Sequence, residues 1–156
     1  MRRLLLLAHL CSAIGFAGAL LVHLAVLLGP PALSTEGLMG IRTAMAQVAE
    51  HVMVPSTLLL LTSGMLLVVA SPALLSARWV WLKALLGFAA AAVALVALYP
   101  LVQQSAGLAS QSMFGMTDGQ DELARIERTV TTIALALSAA AVALALWRPR
   151  LRAGDH

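Results

Sequence analysis

Charged side chains are scarce in this sequence. They make up 11% of its 156 residues, whereas a soluble domain carries about 25%. The chain is instead 61% hydrophobic, with a mean hydropathy of +0.93, so it has too few polar side chains to coat a surface that faces water. Aromatic residues are also few, at 4%, and they are not interleaved with basic residues as nucleic-acid-binding surfaces require. These shortages predict a membrane protein that does not bind nucleic acid.

The sequence contains a single cysteine, Cys11. An internal disulfide and a cysteine-based zinc site are therefore both excluded. Because Cys11 lies within an apolar run, we expect it to behave as a small buried hydrophobic residue. The sequence also shows no catalytic triad, no phosphate-binding loop and no paired-carboxylate site.

Four apolar segments have about the length that a helix needs to cross a bilayer, which is about 20 residues. They cover residues 4–28, 52–70, 79–101 and 130–147. Helical periodicity extends the second segment back to position 36 and the fourth back to position 118. We therefore predict an all-α, integral membrane four-helix bundle that forms one domain over residues 1–156.

Two irregularities are predicted within this pattern. Pro55 lies inside the second helix, where a proline bends or breaks the chain of hydrogen bonds. Residues 103–117, with the sequence QQSAGLASQSMFGMT, have no clear apolar period, and we predict a mobile loop there.

The first segment also has features of a cleavable signal peptide. Arg2 and Arg3 provide a basic start, and Ala17-Gly18-Ala19 resembles the small-residue cleavage site of such a peptide. The apolar run nevertheless continues to Leu28, which is long for the hydrophobic region of such a peptide. We expect the segment to be retained as a membrane span.

Basic residues in the short flanks predict the orientation, because Lys and Arg concentrate on the cytoplasmic side. The side that holds the two termini has six arginines, and the opposite side has three. The six are Arg2, Arg3, Arg78, Arg148, Arg150 and Arg152, and the three are Arg42, Arg125 and Arg128. This imbalance predicts a multi-pass protein of the bacterial inner membrane with both termini in the cytoplasm.

The remaining charged residues of the outer side lie beyond the apolar runs. We expect Arg42, Glu50, Arg125 and Glu127 to form a rim that is exposed to solvent.

Three histidines and one lysine lie within or beside the apolar segments. His9 and His23 are about four helical turns apart, so they share one face of the first helix, about 21 Å apart along its axis. The predicted topology places Lys83 at the level of His9 and His51 at the level of His23. An ionisable residue inside a membrane is a candidate functional residue by default.

Paired imidazoles on bundle helices point to haem, because a neutral imidazole is a standard axial ligand of haem iron. We therefore treat His9, His23 and His51 as candidate haem-binding or metal-binding residues. Structural alternatives stay open for each: Lys83 and His51 would be solvated at the membrane interface, and the other two histidines would bond neighbouring helices.

The stretch AHLCSAIGFAGALLVHL resembles the first helix of a clan of small bacterial membrane proteins. The clan includes the HemJ-type protoporphyrinogen oxidases, the CopD-like copper-resistance domains and uncharacterised families, to which this chain is most similar. Its first helix typically has a histidine followed seven positions later by a tryptophan. Here the histidine is His9, and Phe16 stands at the tryptophan position.

A second part of the resemblance covers residues 54–83, where the clan often has a proline, a Thr/Gly pair and a closing Trp-x-x-x-Lys, matched here by Trp79 and Lys83. In HemJ-type enzymes the first-helix histidine and the third-helix lysine are linked to haem binding and activity. The resemblance therefore implies that His9 and Lys83 bind haem b and that Lys83 acts in catalysis. The arginines usual after the clan's first helix are absent here.

Three functions remain open at this point. The first is a membrane redox protein that binds haem b and exchanges electrons with a porphyrin or a quinone. The second is a non-enzymatic membrane subunit or a permeability factor for a small molecule or metal. The third is a helical scaffold that binds lipid, a second copy of itself or another membrane protein through its Ala- and Gly-rich helix faces.

Overall fold

The structure is a computed structural model that describes residues 2–29, 34–71, 77–111 and 119–147. All regular secondary structure in these ranges is helical, which confirms the all-α prediction for the part of the chain that is described.

Four helices are long and apolar enough to cross a membrane, by length and composition. They are α1 (Arg2–Leu28), α2 (Thr35–Val69), α3 (Arg78–Gln111) and α4 (Gln120–Trp147). The chain is therefore a multi-pass integral membrane protein by these criteria.

The start of α2 is fixed by a polar cap. Ser34 has extended backbone angles, and its side chain accepts a hydrogen bond from the backbone N–H of Gly37 at 3.1 Å. Such a cap satisfies one of the backbone donors that a helix start leaves unpaired. The carboxylate of Glu36 in the first turn adds a favourable charge at the positive end of the helix.

A π-helical segment accommodates the proline inside α2. Pro55 has no N–H, and in a regular α-helix its ring would clash with the carbonyl four residues earlier. The helix widens just before it, over Ala49–Met53, and the N–H of Val54 bonds to the carbonyl of Ala49, five residues back. The irregularity predicted near Pro55 is therefore a π-bulge within a continuous helix.

A second π-helical segment precedes a proline in α3. Pro100 follows a π-helical segment, Val93–Leu98, and the N–H of Tyr99 bonds to the carbonyl of Ala94, again five residues back. In both helices the bulge lies directly before the proline, which indicates that the wider turn exists to relieve the proline clash.

The mobile loop predicted over residues 103–117 is wrong for its first part. Helix α3 continues to Gln111, and residues 112–118 lie outside the described residues. The helix persists because Val102, Ser105 and Ala109 recur at helical spacing and bury one face against the first part of α2.

The helices alternate in direction. Helix α1 packs against the last part of α2 and against α4, the first part of α3 packs on α4, and the first part of α2 packs on the last part of α3. We call the end of the bundle where α1 begins and α4 ends the terminal end, and the opposite end the distal end. The described core between them is apolar and includes Phe16, Leu20, Met53 and Ala134.

The outer surface of the bundle is strongly hydrophobic. Large aliphatic side chains such as Ile14, Val96 and Leu146 are 73%, 76% and 80% exposed, which is the pattern expected when lipid is the solvent. Cys11 is exposed on this surface as well. Our expectation that Cys11 is buried is therefore wrong, because its position on α1 faces away from the other helices.

Helices α2 and α3 are longer than the membrane requires. At 35 and 34 residues they span more than 50 Å, compared with about 30 Å of bilayer hydrocarbon. The excess length lies at the distal end, where the first part of α2 packs on the last part of α3. Polar side chains at that end therefore lie at the level of the membrane interface.

Candidate functional site

A buried ion pair joins α2 to α4 at the distal end. The Nη1 atom of Arg42 donates to Oε2 of Glu127 at 2.7 Å. The side chain of Glu127 is fully buried and that of Arg42 is 12% exposed. Our prediction that these two residues belong to a solvated rim is wrong, whereas Glu50 and Arg125 are exposed as expected.

The helical periodicity of the buried residues on α4 could have identified Glu127 as an inward-facing residue. On α4 the buried side chains are Leu123, Glu127, Thr131 and Ala134, which recur three or four residues apart and so form one face. A carboxylate in the middle of such a face is directed into the protein, and it needs a cationic partner there. The polar character of residues 118–129 concealed this face, because we assigned the whole stretch to solvent.

His23 belongs to the same distal cluster. Its side chain is 7% exposed, and its Nε2 lies 3.8 Å from Oε2 of Glu127. Nε2 of His23 and Oε1 of Glu127 are buried and have no hydrogen-bond partner among the described residues. His51, the partner predicted for His23, is exposed, and its Nδ1 bonds the carbonyl of Gln47 within its own helix at 3.1 Å. The two histidines thus have different partners.

A small cavity adjoins the ion pair. It has a volume of about 10 Å³ and is lined by five residues of α2, α3 and α4, namely Arg42, Ser105, Leu108, Ala109 and Leu123. A volume of this size accommodates about one water molecule. Arg42 is common to the cavity wall and the ion pair, and it therefore connects the two.

Arg128 ties the end of α1 to the same cluster. Its Nη2 donates to the carbonyl of Leu27 at 3.1 Å. The last carbonyls of a helix have no partner within the helix, so this guanidinium acts as a cap from the neighbouring helix. It also fixes the end of α1 against the beginning of α4.

A second polar cluster lies at the terminal end and is centred on His9. Nδ1 of His9 lies 3.2 Å from the carbonyl oxygen of Leu60 and 3.2 Å from Oγ of Ser63. Its ring also rests on Gly64, because a Cβ at Gly64 would lie 3.1 Å from Cε1 of His9. The charge of Lys83 acts on the imidazole, but the hydrogen bonds of His9 go to Leu60 and Ser63. The pairing of His9 with Lys83 therefore stays a prediction.

The contacts of His9 determine which ring nitrogen carries the proton. A carbonyl oxygen can only accept a hydrogen bond, and the hydroxyl of Ser63 donates to the carbonyl of Leu59, so we assign the proton of His9 to Nδ1, from which it bonds Leu60. In the neutral imidazole, Nε2 then carries the lone pair. Metal-binding histidines commonly have this arrangement, in which one nitrogen donates to a backbone carbonyl and the other ligates.

The two clusters differ in how well they fit haem. At the terminal end, a neutral His9 with its proton on Nδ1 has a lone pair on Nε2 that could ligate a metal. At the distal end, Nε2 of His23 faces a carboxylate instead, and the adjoining cavity is far smaller than the roughly 300–1,000 Å³ of ordinary cofactor pockets. Among the described residues there is no group of three or more His, Cys, Asp or Glu that could hold a metal ion.

An apolar layer separates the clusters. Along the bundle axis, Phe16, Leu20, Met53 and Ala134 lie between the levels of His9 and His23 and belong to the buried hydrophobic core. The same region also contains the buried hydroxyls of Thr57 and Thr131, each of which donates to a carbonyl of its own helix. The described residues therefore form two polar clusters, one near each end of the bundle, with a mostly apolar interior between them.

Comparisons with protein-family models, with curated proteins and with solved structures give no significant match. The functional argument therefore rests on the residues of this chain.

Proposed function

We propose that this protein is a redox protein of the bacterial inner membrane that binds haem b at the terminal end of its bundle, where His9 would ligate the iron and Lys83 would supply a positive charge. The observation that supports this proposal is the hydrogen bond between Nδ1 of His9 and the carbonyl of Leu60. It holds the imidazole in the tautomer that presents Nε2 as a ligand.

The chain's own residues would each have a defined part in this site. The carbonyl of Leu60 and the hydroxyl of Ser63 orient His9, and the ammonium of Lys83 provides the positive charge that a propionate needs. The absence of a side chain at Gly64 leaves room for the ring. Haem, when bound, would supply one-electron chemistry within the membrane.

Absorption spectroscopy tests the proposal directly. The full chain is purified in mild detergent from haem-sufficient cells, and spectra are recorded before and after reduction with dithionite. We expect a Soret peak with sharp reduced bands that is lost in His9→Ala and retained in His51→Ala, a matched control at an exposed histidine. A featureless spectrum of the wild-type protein at full haem supply would contradict haem binding.

The orientation of the chain gives a second prediction. Because the sequence pattern assigns six of the nine flanking arginines to the side of the two termini, we expect both termini to lie in the cytoplasm. A green fluorescent protein fused after His156 should fluoresce, whereas alkaline phosphatase fused at the same point should be inactive. The reverse pattern would place the distal end in the cytoplasm.

A non-enzymatic membrane subunit is the second candidate function. It is supported by the way in which polar side chains of both clusters bond between helices, as Arg42 does with Glu127 and His9 with Leu60. In such a protein the polar groups would serve only to hold the helices together. That function predicts no chromophore in the same spectra, together with loss of stability when either cluster is mutated. A permeability factor has less support, because an apolar layer separates the clusters.

A further inference from the structure

Two buried polar atoms of the distal cluster lack hydrogen-bond partners among the described residues. They are Nε2 of His23 and Oε1 of Glu127, and they belong to residues that are 6% and 0% exposed. Native proteins rarely leave such atoms unpaired unless they have a function. Here both belong to one pair of side chains, whose nearest atoms are 3.8 Å apart.

A proton on His23 is opposed by the positive charge of Arg42 and favoured by the carboxylate of Glu127, which lies 3.8 Å from Nε2. Arg42 and Glu127 form an ion pair, so the three side chains carry no net charge when His23 is neutral. A proton added to the imidazole would make both ring nitrogens donors. Nε2 could then donate to the carboxylate, whose second oxygen has no partner in the described structure.

Among the described residues, a space that one water molecule can occupy lies beside this pair at the distal end. The small cavity at the distal end is lined by Arg42, which contacts Glu127. Toward the terminal end, Phe16, Leu20 and Ala134 fill the interior. The nearest titratable side chains on α1 itself are Cys11 and His9, about 18 Å and about 21 Å away along the helix.

Other titratable or charged groups around His23 are few. Helix α2 contributes Arg42, Glu50 and His51, of which the last two are exposed. Helix α4 contributes Glu127 and Arg128, and the guanidinium of Arg128 bonds the carbonyl of Leu27. Besides Arg78 and Lys83 in its first turns, the described part of α3 contains Tyr99 as its one titratable side chain. Glu127 is therefore the carboxylate that faces the imidazole.

We propose that His23 and Glu127 form a buried proton-binding site that exchanges protons with the distal side of the membrane. The proton comes from water at the distal end and binds the imidazole of His23. Glu127 becomes the shared counter-ion of His23 and Arg42, and no other bond is made or broken. The site is separate from the one proposed for haem, and it is measured on protein without haem.

Nuclear magnetic resonance tests this site on the full chain in lipid nanodiscs, with ¹⁵N-labelled histidine and ¹³C-labelled glutamate. The pH is lowered from about 9 to about 4, the range that contains ordinary histidine titrations. We expect the ring nitrogens of His23 to change from the neutral to the doubly protonated pattern. The carboxyl carbon of Glu127 should respond with the same midpoint. Failure of His23 to take up a proton in this range, or a midpoint that Glu127 does not share, would overturn the proposal without any variant.

Two variants then test whether the carboxylate of Glu127 itself, and not the loss of any negative charge nearby, changes proton binding at His23. Glu127→Gln should weaken proton binding at His23 by about tenfold or more, because an opposite charge at this distance stabilises the imidazolium. Glu50→Gln, at an exposed carboxylate of α2, should leave His23 unchanged. His51, which is exposed, reports the ordinary titration of a surface histidine in every sample. Equal effects of the two substitutions on His23 would also overturn the proposal.

Discussion

Replacement of Glu127 by glutamine should destabilise the folded bundle by about 3–5 kcal/mol, because it leaves the guanidinium of Arg42 buried without its counter-charge. The carboxylate that it removes is fully buried and lies 2.7 Å from Arg42. The loss should be measurable as a lower free energy of unfolding in mixed micelles titrated with dodecyl sulfate.

A double variant distinguishes two contributions to the lost stability: the burial of an unpaired charge and the loss of the ion pair's own stabilisation. When both members of a buried ion pair are replaced by apolar residues of similar volume, stability is often maintained or increased. We therefore expect Arg42→Met combined with Glu127→Met to recover most of the stability lost in Glu127→Gln. If the double variant is as unstable as the single one, the ion pair itself makes the larger contribution.

The exposed pair on the same helix provides the matched control. Glu122 and Arg125 are also 2.7 Å apart, but their side chains are 57% and 72% exposed. Surface pairs of this kind contribute little to stability, so Glu122→Gln should leave the unfolding curve almost unchanged. Equal losses for Glu122→Gln and Glu127→Gln would contradict the assignment of Glu127 to the core.

The sequence allowed the helices to be predicted because lipid imposes a simple requirement on them. A long apolar segment must form a helix to satisfy its backbone, and α1, predicted over residues 4–28, is found at Arg2–Leu28. The extension of α2 was predictable as well, since Ser34 provides a recognisable cap and the helix begins at Thr35, one residue before the predicted start. The predicted start of α4 at 118 lies outside the described residues.

The candidate sites were only partly predictable, because side-chain partners depend on how the helices rotate against one another. Helix spacing and topology led us to pair His9 with Lys83, whereas the hydrogen bonds of His9 go to Leu60 and Ser63 of α2. Spacing and topology were not enough to show that His23 turns toward Glu127 and not toward His51. Average polarity was misleading for Arg42 and Glu127, since a charged residue near a helix end can be buried when the helices extend beyond the membrane.

Replacement of Gly64 by valine should disturb the terminal cluster. A Cβ at this position would lie 3.1 Å from Cε1 and 3.5 Å from Nδ1 of His9, and the additional methyl groups would displace the ring from Leu60 and Ser63. Overpacking of this kind costs about 1–3 kcal/mol. Loss of the orienting hydrogen bonds should also weaken haem binding by about 10- to 100-fold, as is usual for residues that position a metal ligand.

Gly87 supplies the control for this substitution. It is also helical, but a Cβ added there meets no atom within 4 Å, so Gly87→Val tests the effect of a β-branched residue in a helix without the contact. Both variants are titrated with haem in detergent, and their unfolding is followed in parallel. If Gly64→Val loses stability but binds haem as well as Gly87→Val does, then the contact of Gly64 with His9 is structural only. If both properties fall together in Gly64→Val alone, the orientation of His9 against α2 is what makes it a ligand.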